Sequence, residues 1–163
     1  MQSSGQYPNI ETSKYRFKLW RIWDKTKPTV LFIMRNPHTM CIKNDDITIK
    51  KAVKIAKRWG YGGIYVGNIY AFCAETLHDL WHGENIDIDE NKIHIKEMME
   101  KCTDVIYAYG ISDVGLKKME EPHWLKDNMD SFGKKPYCIK TTKKNQPIIP
   151  TWDTTDRPML YEP

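Results

Sequence analysis

No apolar stretch in the 163 residues approaches the ~20 needed to span a bilayer; Val30 to Met34 is typical of the longest runs. The opening residues Met1-Gln2-Ser3-Ser4-Gly5 lack the apolar core of a signal peptide. A membrane partner is therefore not expected, and the expected location is the cytoplasm. Close cysteine pairs are also missing. Cys41, Cys73, Cys102 and Cys138 are dispersed, which excludes a zinc ribbon and favours reduced, buried thiols. His78 and His82 have the i, i+4 spacing of two imidazoles on one helix face. Asp79 stands where the zinc-protease pattern has its glutamate and no third ligand is evident, so neither a metal nor another cofactor is expected.

The chain has no Gly-x-Ser-x-Gly elbow, P-loop or dinucleotide fingerprint, which removes the usual support for hydride transfer and nucleotide hydrolysis. Gly60, Gly62 and Gly63 stand after a helical pattern and before a strand, the reverse of a phosphate-cradling loop. Strong basicity is absent as well. Lys and Arg total 25 against 21 Asp and Glu, and a net charge of +4 permits a polyanionic partner without requiring one. Arginine is confined to Arg16, Arg21, Arg35, Arg58 and Arg157, and its planar fork reads phosphate or carboxylate better than lysine does.

What is present suits a single α/β domain over residues 1–163, with 1–13 and 153–163 peripheral. A chain of this length buries roughly 68–70% of its unfolded surface, enough for a core without staples. Residues 15–23 read as a short N-terminal strand or hairpin, with Tyr15, Phe17 and Leu19 on one face. Thr29 to Met34 is a β-branched apolar run, as expected of a central strand covered on both sides. Helical spacing follows over 47–59 with Asp45 or Asp46 as cap, then a strand over 64–72, a short helix within 74–82 and a longer one over 89–101. The longer helix has Ile93, Ile95, Met98 and Met99 near its apolar side. A strand over 103–109, a broken helix over 114–129, a strand over 136–140 and an extended proline-containing tail complete the pattern. Alternating strands and helices imply a three-layer sandwich with a mostly parallel sheet, whose ligand crevice lies beyond the strands' carboxyl ends.

That rule selects Arg35-Asn36-Pro37-His38, directly after the most apolar strand. Asn36 could orient water or read a base edge, while Arg35 and His38 could meet an anion; the alternative is an Asn-Pro turn that only ends the strand. Asn68 interrupts a second apolar strand, where it either tethers a loop or faces a ligand. Asp45 and Asp46 read better as helix caps than as acid–base groups. Tyr70, Phe72 and Trp152 are candidates for stacking on a base, and Lys140, Lys143 and Lys144 form a small basic turn. Cys41 and His38 share a loop and leave open a cysteine nucleophile.

The succession of Lys27 to Thr39, Asp45-Asp46-Ile47-Thr48-Ile49, Ala56 to Gly63 and Asn68 to Phe72 resembles an uncharacterised family of small bacterial and phage proteins over about residues 15–152. More distantly, Asn36-Pro37, Asn68 and Gly110 are similar in order to motifs of the uracil-DNA glycosylase superfamily. That resemblance implies a uracil-DNA-glycosylase-like fold. It also implies an N-glycosidic hydrolase in which Asn36 positions water, Asn68 reads the base, and Arg35, Pro37, His38, Tyr70, Phe72, Thr151 and Trp152 line the site. The sequence departs from both patterns in the late segment Gln146 to Trp152, where Ile149 stands in place of a histidine before proline. Two expectations result: a nucleobase- or nucleotide-recognising glycosylase whose partner is nucleic acid or a free nucleotide, or a non-catalytic protein that sequesters a nucleotide or signal molecule, such as a phage counter-defence factor. A purely structural or protein-binding role is the third reading.

Overall fold

A computed structural model describes residues 2–6, 14–38, 44–82, 89–110, 121–153 and 155–162. In chain order the elements are β1 (Gln2–Gln6), β2 (Lys18–Ile22), β3 (Thr29–Met34), α1 (Ile47–Arg58), β4 (Gly63–Asn68), α2 (Leu77–Trp81), α3 (Asp89–Lys101), β5 (Asp104–Tyr107), α4 (His123–Ser131), β6 (Pro136–Cys138) and β7 (Met159–Leu160). The strands form one sheet in the order β1-β2-β4-β3-β5-β6-β7. Its centre, β4-β3-β5-β6, is parallel, but β1·β2, β2·β4 and β6·β7 pair antiparallel, so the sheet is mixed rather than mostly parallel. Antiparallel partners at the flanks need no crossover helix, which lets the chain's first and last described strands close the edges.

β3 sets the layering. Its alternate residues Val30, Phe32 and Met34 pack with Ile49, Ala52, Ile55 and Ala56 of α1, while Leu31 and Ile33 pack with Ile95, Met98 and Met99 of α3 and Leu125 and Met129 of α4. Residues 30–33 have no exposed surface, as a strand buried on both faces requires. α1 starts where Asp46 Oδ1 accepts from the Ile49 amide at 2.9 Å, and it closes on Gly60 at φ +86°. The adjacent turn needs its other glycine for space: a Cβ on Gly62 would lie 2.0 Å from the Asp24 carbonyl oxygen.

Several expectations change in detail. Phe17 and Leu19 serve opposite faces, Phe17 against His94 of α3 and Leu19 in the α1 layer. Regular pairing starts only at Lys18; before it, Arg16 and Lys14 bond across to Ala71 and Cys73 outside the ladder. β4 ends at Asn68, four residues short of the expected 72, and Ile93 is 59% exposed on α3. Of the expected broken helix, 123–131 is helical after Pro122, and 114–120 lies outside the described residues. No described helix is long and apolar enough to cross a membrane.

The core carries several ionisable hydroxyls and thiols. Burial raises Tyr61, Tyr107 and Tyr109 above the ordinary phenol range and pushes the Cys102 thiol up to about 12. A raised folded-state value stabilises the fold fully below the unfolded value, about 9 for the thiol and 10 for the phenols, and is lost as pH rises toward the folded one. Stability to urea should therefore hold to about pH 9 and then fall by up to ~1.4 kcal/mol per pH unit for each group that ionises only on unfolding. Unchanged urea midpoints to about pH 11 would contradict this packing.

Candidate anion-binding crevice

In chain order the parallel strands run β3, β4, β5, β6, yet β3 lies between β4 and β5. The connection from β3 through α1 goes to one side, and β5 is placed on the other. Ligands of open α/β sheets collect at such a reversal, beyond the strand ends. A crevice of about 90 Å³ opens there. Met34 and Ala108 form its floor, Arg35, Asn36 and His38 follow β3, and Asp46, Thr48 and Ile49 supply the first turn of α1. Arg16, Tyr109 and Ile149 complete the described lining.

The charge of this lining is uneven. Its described lining holds two arginines and one carboxylate, Asp46, and the neighbouring Asp45 is engaged elsewhere. Arg21, 2% exposed on β2, bonds both oxygens of Asp45, with Nε to Oδ2 at 3.3 Å, and donates a third bond to the Trp20 carbonyl at 2.8 Å. Asp46 caps α1. The two adjacent acids together fix the start of the helix against the sheet. Arg16 is 2% exposed, and both it and Arg35 interact with other groups of the chain, so neither is a loose surface charge. The crevice also lies at the amino end of α1, where the helix dipole favours an anion.

Asn36 is tied down on one side only. Its Nδ2 donates to the Ala74 carbonyl at 2.9 Å and to the Pro37 carbonyl at 3.2 Å, which assigns the amide's orientation and leaves Oδ1, an acceptor, for any ligand or water. Ala74 N returns a bond to the buried Pro37 carbonyl at 3.0 Å, so this pair of loops is sewn together. Asn68 is next to the crevice from inside: it pairs in register with Met34, is 1% exposed, and has no hydrogen-bond partner on either amide atom. Such a group costs roughly 1–3 kcal/mol unless something meets it.

Other expected site residues lie apart. After β4 the chain bends out of the ladder, with Ile69 and Tyr70 amides held by the Met34 and Arg35 carbonyls at 2.9 Å. Tyr70 consequently packs edge-on to Trp81, and Phe72 packs against Tyr15 beside a separate open depression lined by Cys73, His78 and His82. The His78 and His82 rings stack there at 4.0 Å, and among the described residues no group of three metal-ligating side chains is arranged to hold an ion. Thr151 is spent on the Asp153 carbonyl at 2.6 Å, and Trp152 lies over α1. Lys140 is exposed beside another small hollow, and Lys143 and Lys144 are exposed in the following turn. Cys41 lies outside the described residues.

Arg16, Tyr109 and Ile149 join the crevice without having been singled out as ligand contacts. Arg16 precedes the regular part of β2, so alternation gave no hint of its direction. Tyr109 donates to Tyr161, and burial is the main cause of its raised pKa. Gly110 lets the late loop close on this wall: its φ is +76°, and a Cβ there would approach Ile149 Cγ2 to 2.7 Å.

These features define an α/β protein with helices on both sheet faces and a crevice bordered by two arginines at the switch point. The chain belongs to the family described as "Protein of unknown function (DUF1643)", whose sequence profile matches residues 16–150. No curated protein and no solved structure matches it.

The ion pair that anchors α1 gives a direct test. Asp45→Ala should cost about 3–5 kcal/mol in urea unfolding, toward the lower value because Asp45 is partly exposed, since it leaves a buried guanidinium uncompensated. Arg21→Met with Asp45→Leu should restore most of that loss. Full stability of Asp45→Ala would show that the pair does not hold the helix start.

Proposed function

We propose that the protein recognises a nucleotide and that its crevice receives an anionic part of that ligand. The observation that supports this reading is the convergence of Arg16 and Arg35 with a single carboxylate, Asp46, at the amino end of α1 and the switch point of the sheet. Size adds a restriction. About 90 Å³ is equivalent to roughly three waters, well below the ~300–1,000 Å³ of a site that encloses a whole small molecule. The crevice therefore accepts a phosphate or the edge of a ring, and the rest of the ligand lies outside it. Asn68, unpaired beside the flexible Met34 side chain, is the group that would read a base edge if Met34 turned aside.

Asn36 favours a second, catalytic reading, that of a uracil-DNA-glycosylase-like hydrolase. With both amide hydrogens on backbone carbonyls, Oδ1 can only accept, as a group that holds an attacking water must. In that reaction the water oxygen bonds to C1′, the C1′–N bond breaks, and the base leaves with the electron pair as an anion. In this reading the oxygen of Asp46 that does not accept the Ile49 amide takes the water's proton, and the two arginines supply the positive charge that steadies the departing base. Capture without chemistry uses the same arginines for a phosphate instead.

Thermal shifts with nucleoside monophosphates, nucleosides and inorganic phosphate, run beside base-release assays on uracil-containing and modified-base oligonucleotides, separate these readings. At ligand near 100 times Kd a monophosphate should raise Tm by about 5–10 °C, and Arg35→Gln should remove most of the shift. Base release that falls at least ~100-fold in Asn36→Ala establishes the hydrolase, whereas a ligand recovered intact establishes capture. No shift and no base release with any of these ligands would defeat the proposal.

A further inference from the structure

The crevice is too small for the ligand it would hold, so the surface next to it decides what that ligand is. α1 leads directly away from the crevice and carries Lys50, Lys51, Lys54, Lys57 and Arg58 with no acidic residue between Ile47 and Arg58. Its buried face is taken by Ile49, Ala52, Ile55 and Ala56, which turns the cationic residues outward. Lys50, Lys54 and Lys57 are exposed. Two acids lie on the adjoining tail: Asp156 is paired with Arg58, and Asp153 is exposed beside Trp152. The remaining four lysines keep a positive excess along about two turns of helix, Lys57 lying over the Trp23 ring at the far end.

An aromatic platform lies on the same stripe. Trp152 is 49% exposed, and the ammonium groups of Lys51 and Lys54 stand 5.6 and 5.3 Å from its ring centroid. The loop that carries Trp152 also carries Ile149, a wall of the crevice only three residues earlier. Crevice, half-exposed indole and lysine stripe are thus linked through α1 and the segment 149–152. An ordinary solvated helix face would mix acids with its lysines; this one does not.

We infer that the ligand is a single nucleic-acid strand rather than a free nucleotide, with one nucleotide at the crevice, the backbone running along the lysines of α1 and a base against Trp152. The inference rests on the nucleotide reading above and names its substrate class. Cationic groups that track a backbone beside an aromatic stacking surface are the usual means of holding a strand with little sequence preference. An anionic lipid surface would use the same lysines, but the exposed aromatic here stands three residues from a crevice bordered by Arg16, Arg35 and Asn36 rather than on an apolar helix face. A duplex is disfavoured because the stripe is one helix wide and leads into an opening too small for a base pair.

The full chain is titrated with a fluorescent single strand of about 12 nucleotides, a duplex of the same length, a nucleoside monophosphate, and phosphatidylserine-containing vesicles, over a range of salt. The strand should bind at least ~100-fold more tightly than the monophosphate, and log K against log salt should slope at about −2 to −3 for three or four phosphate contacts. Lys51→Gln with Lys54→Gln should reduce that slope by about 1.4, and Trp152→Ala should weaken the strand roughly 5- to 150-fold, with the monophosphate unaffected in both. All three side chains are on the surface, and unchanged melting temperatures verify that the variants fold. Strand binding no tighter than monophosphate binding, a preference for duplex, or lysine-dependent binding to vesicles alone would overturn the inference while leaving the crevice reading intact. Loss of monophosphate binding as well would place the failure in that reading instead.

Discussion

Past Thr29, β3 has almost no surface of its own to give to solvent. Residues 30–33 are fully enclosed between α1 on one face and α3 with α4 on the other, and both neighbouring strands run parallel to it. Polar groups can appear on this strand only where it stops. It stops at Arg35-Asn36-Pro37, and the proline cannot donate to a continuing ladder. The freed carbonyls are taken at once by neighbours: Met34 and Arg35 accept from Ile69 and Tyr70, and Ile33 accepts from Ala108. The strand ends are thereby locked together, and the crevice between them inherits that rigidity.

The same economy governs charge. Asp45 and Asp46 are adjacent in the chain yet do different work, one neutralising buried Arg21 and the other capping α1. Both uses anchor the helix start to the sheet. With Asp45 committed, Arg16 and Arg35 outnumber the carboxylates of the described lining, and a helix amino end adds to the positive potential. Two of the chain's five arginines thus border one crevice although the net charge is only +4, and placement rather than total charge decides the local field.

Much of this was legible in the sequence, for identifiable reasons. β3 and α1 have strong periodic patterns, and their bounds agree with the apolar run and the helical spacing. The position of Arg35 and Asn36 followed from the rule for parallel strand ends, without any knowledge of their partners. β1 and β7 were not legible: Gln-Ser-Ser-Gly-Gln has no apolar residue to alternate, and a two-residue edge strand has no period. Tyr70 and Phe72 were misplaced because the strand pattern was extended past Asn68, where the backbone turns out of the ladder and each later side chain changes direction. Arg16 and Ile149 required tertiary information, since both enter the crevice from segments without regular pairing. Trp152 kept its candidacy for stacking, but its location over the α1 lysines was visible only in three dimensions.

Joint anion binding by Arg16 and Arg35 at the switch point is the central proposal. A crystal structure of the protein with a nucleoside monophosphate tests this directly. The expected result is phosphate oxygens within about 3 Å of both guanidinium groups, beside the first turn of α1 and Asn36 Oδ1. A phosphate bound elsewhere, with the crevice filled only by water at saturating ligand, would contradict it.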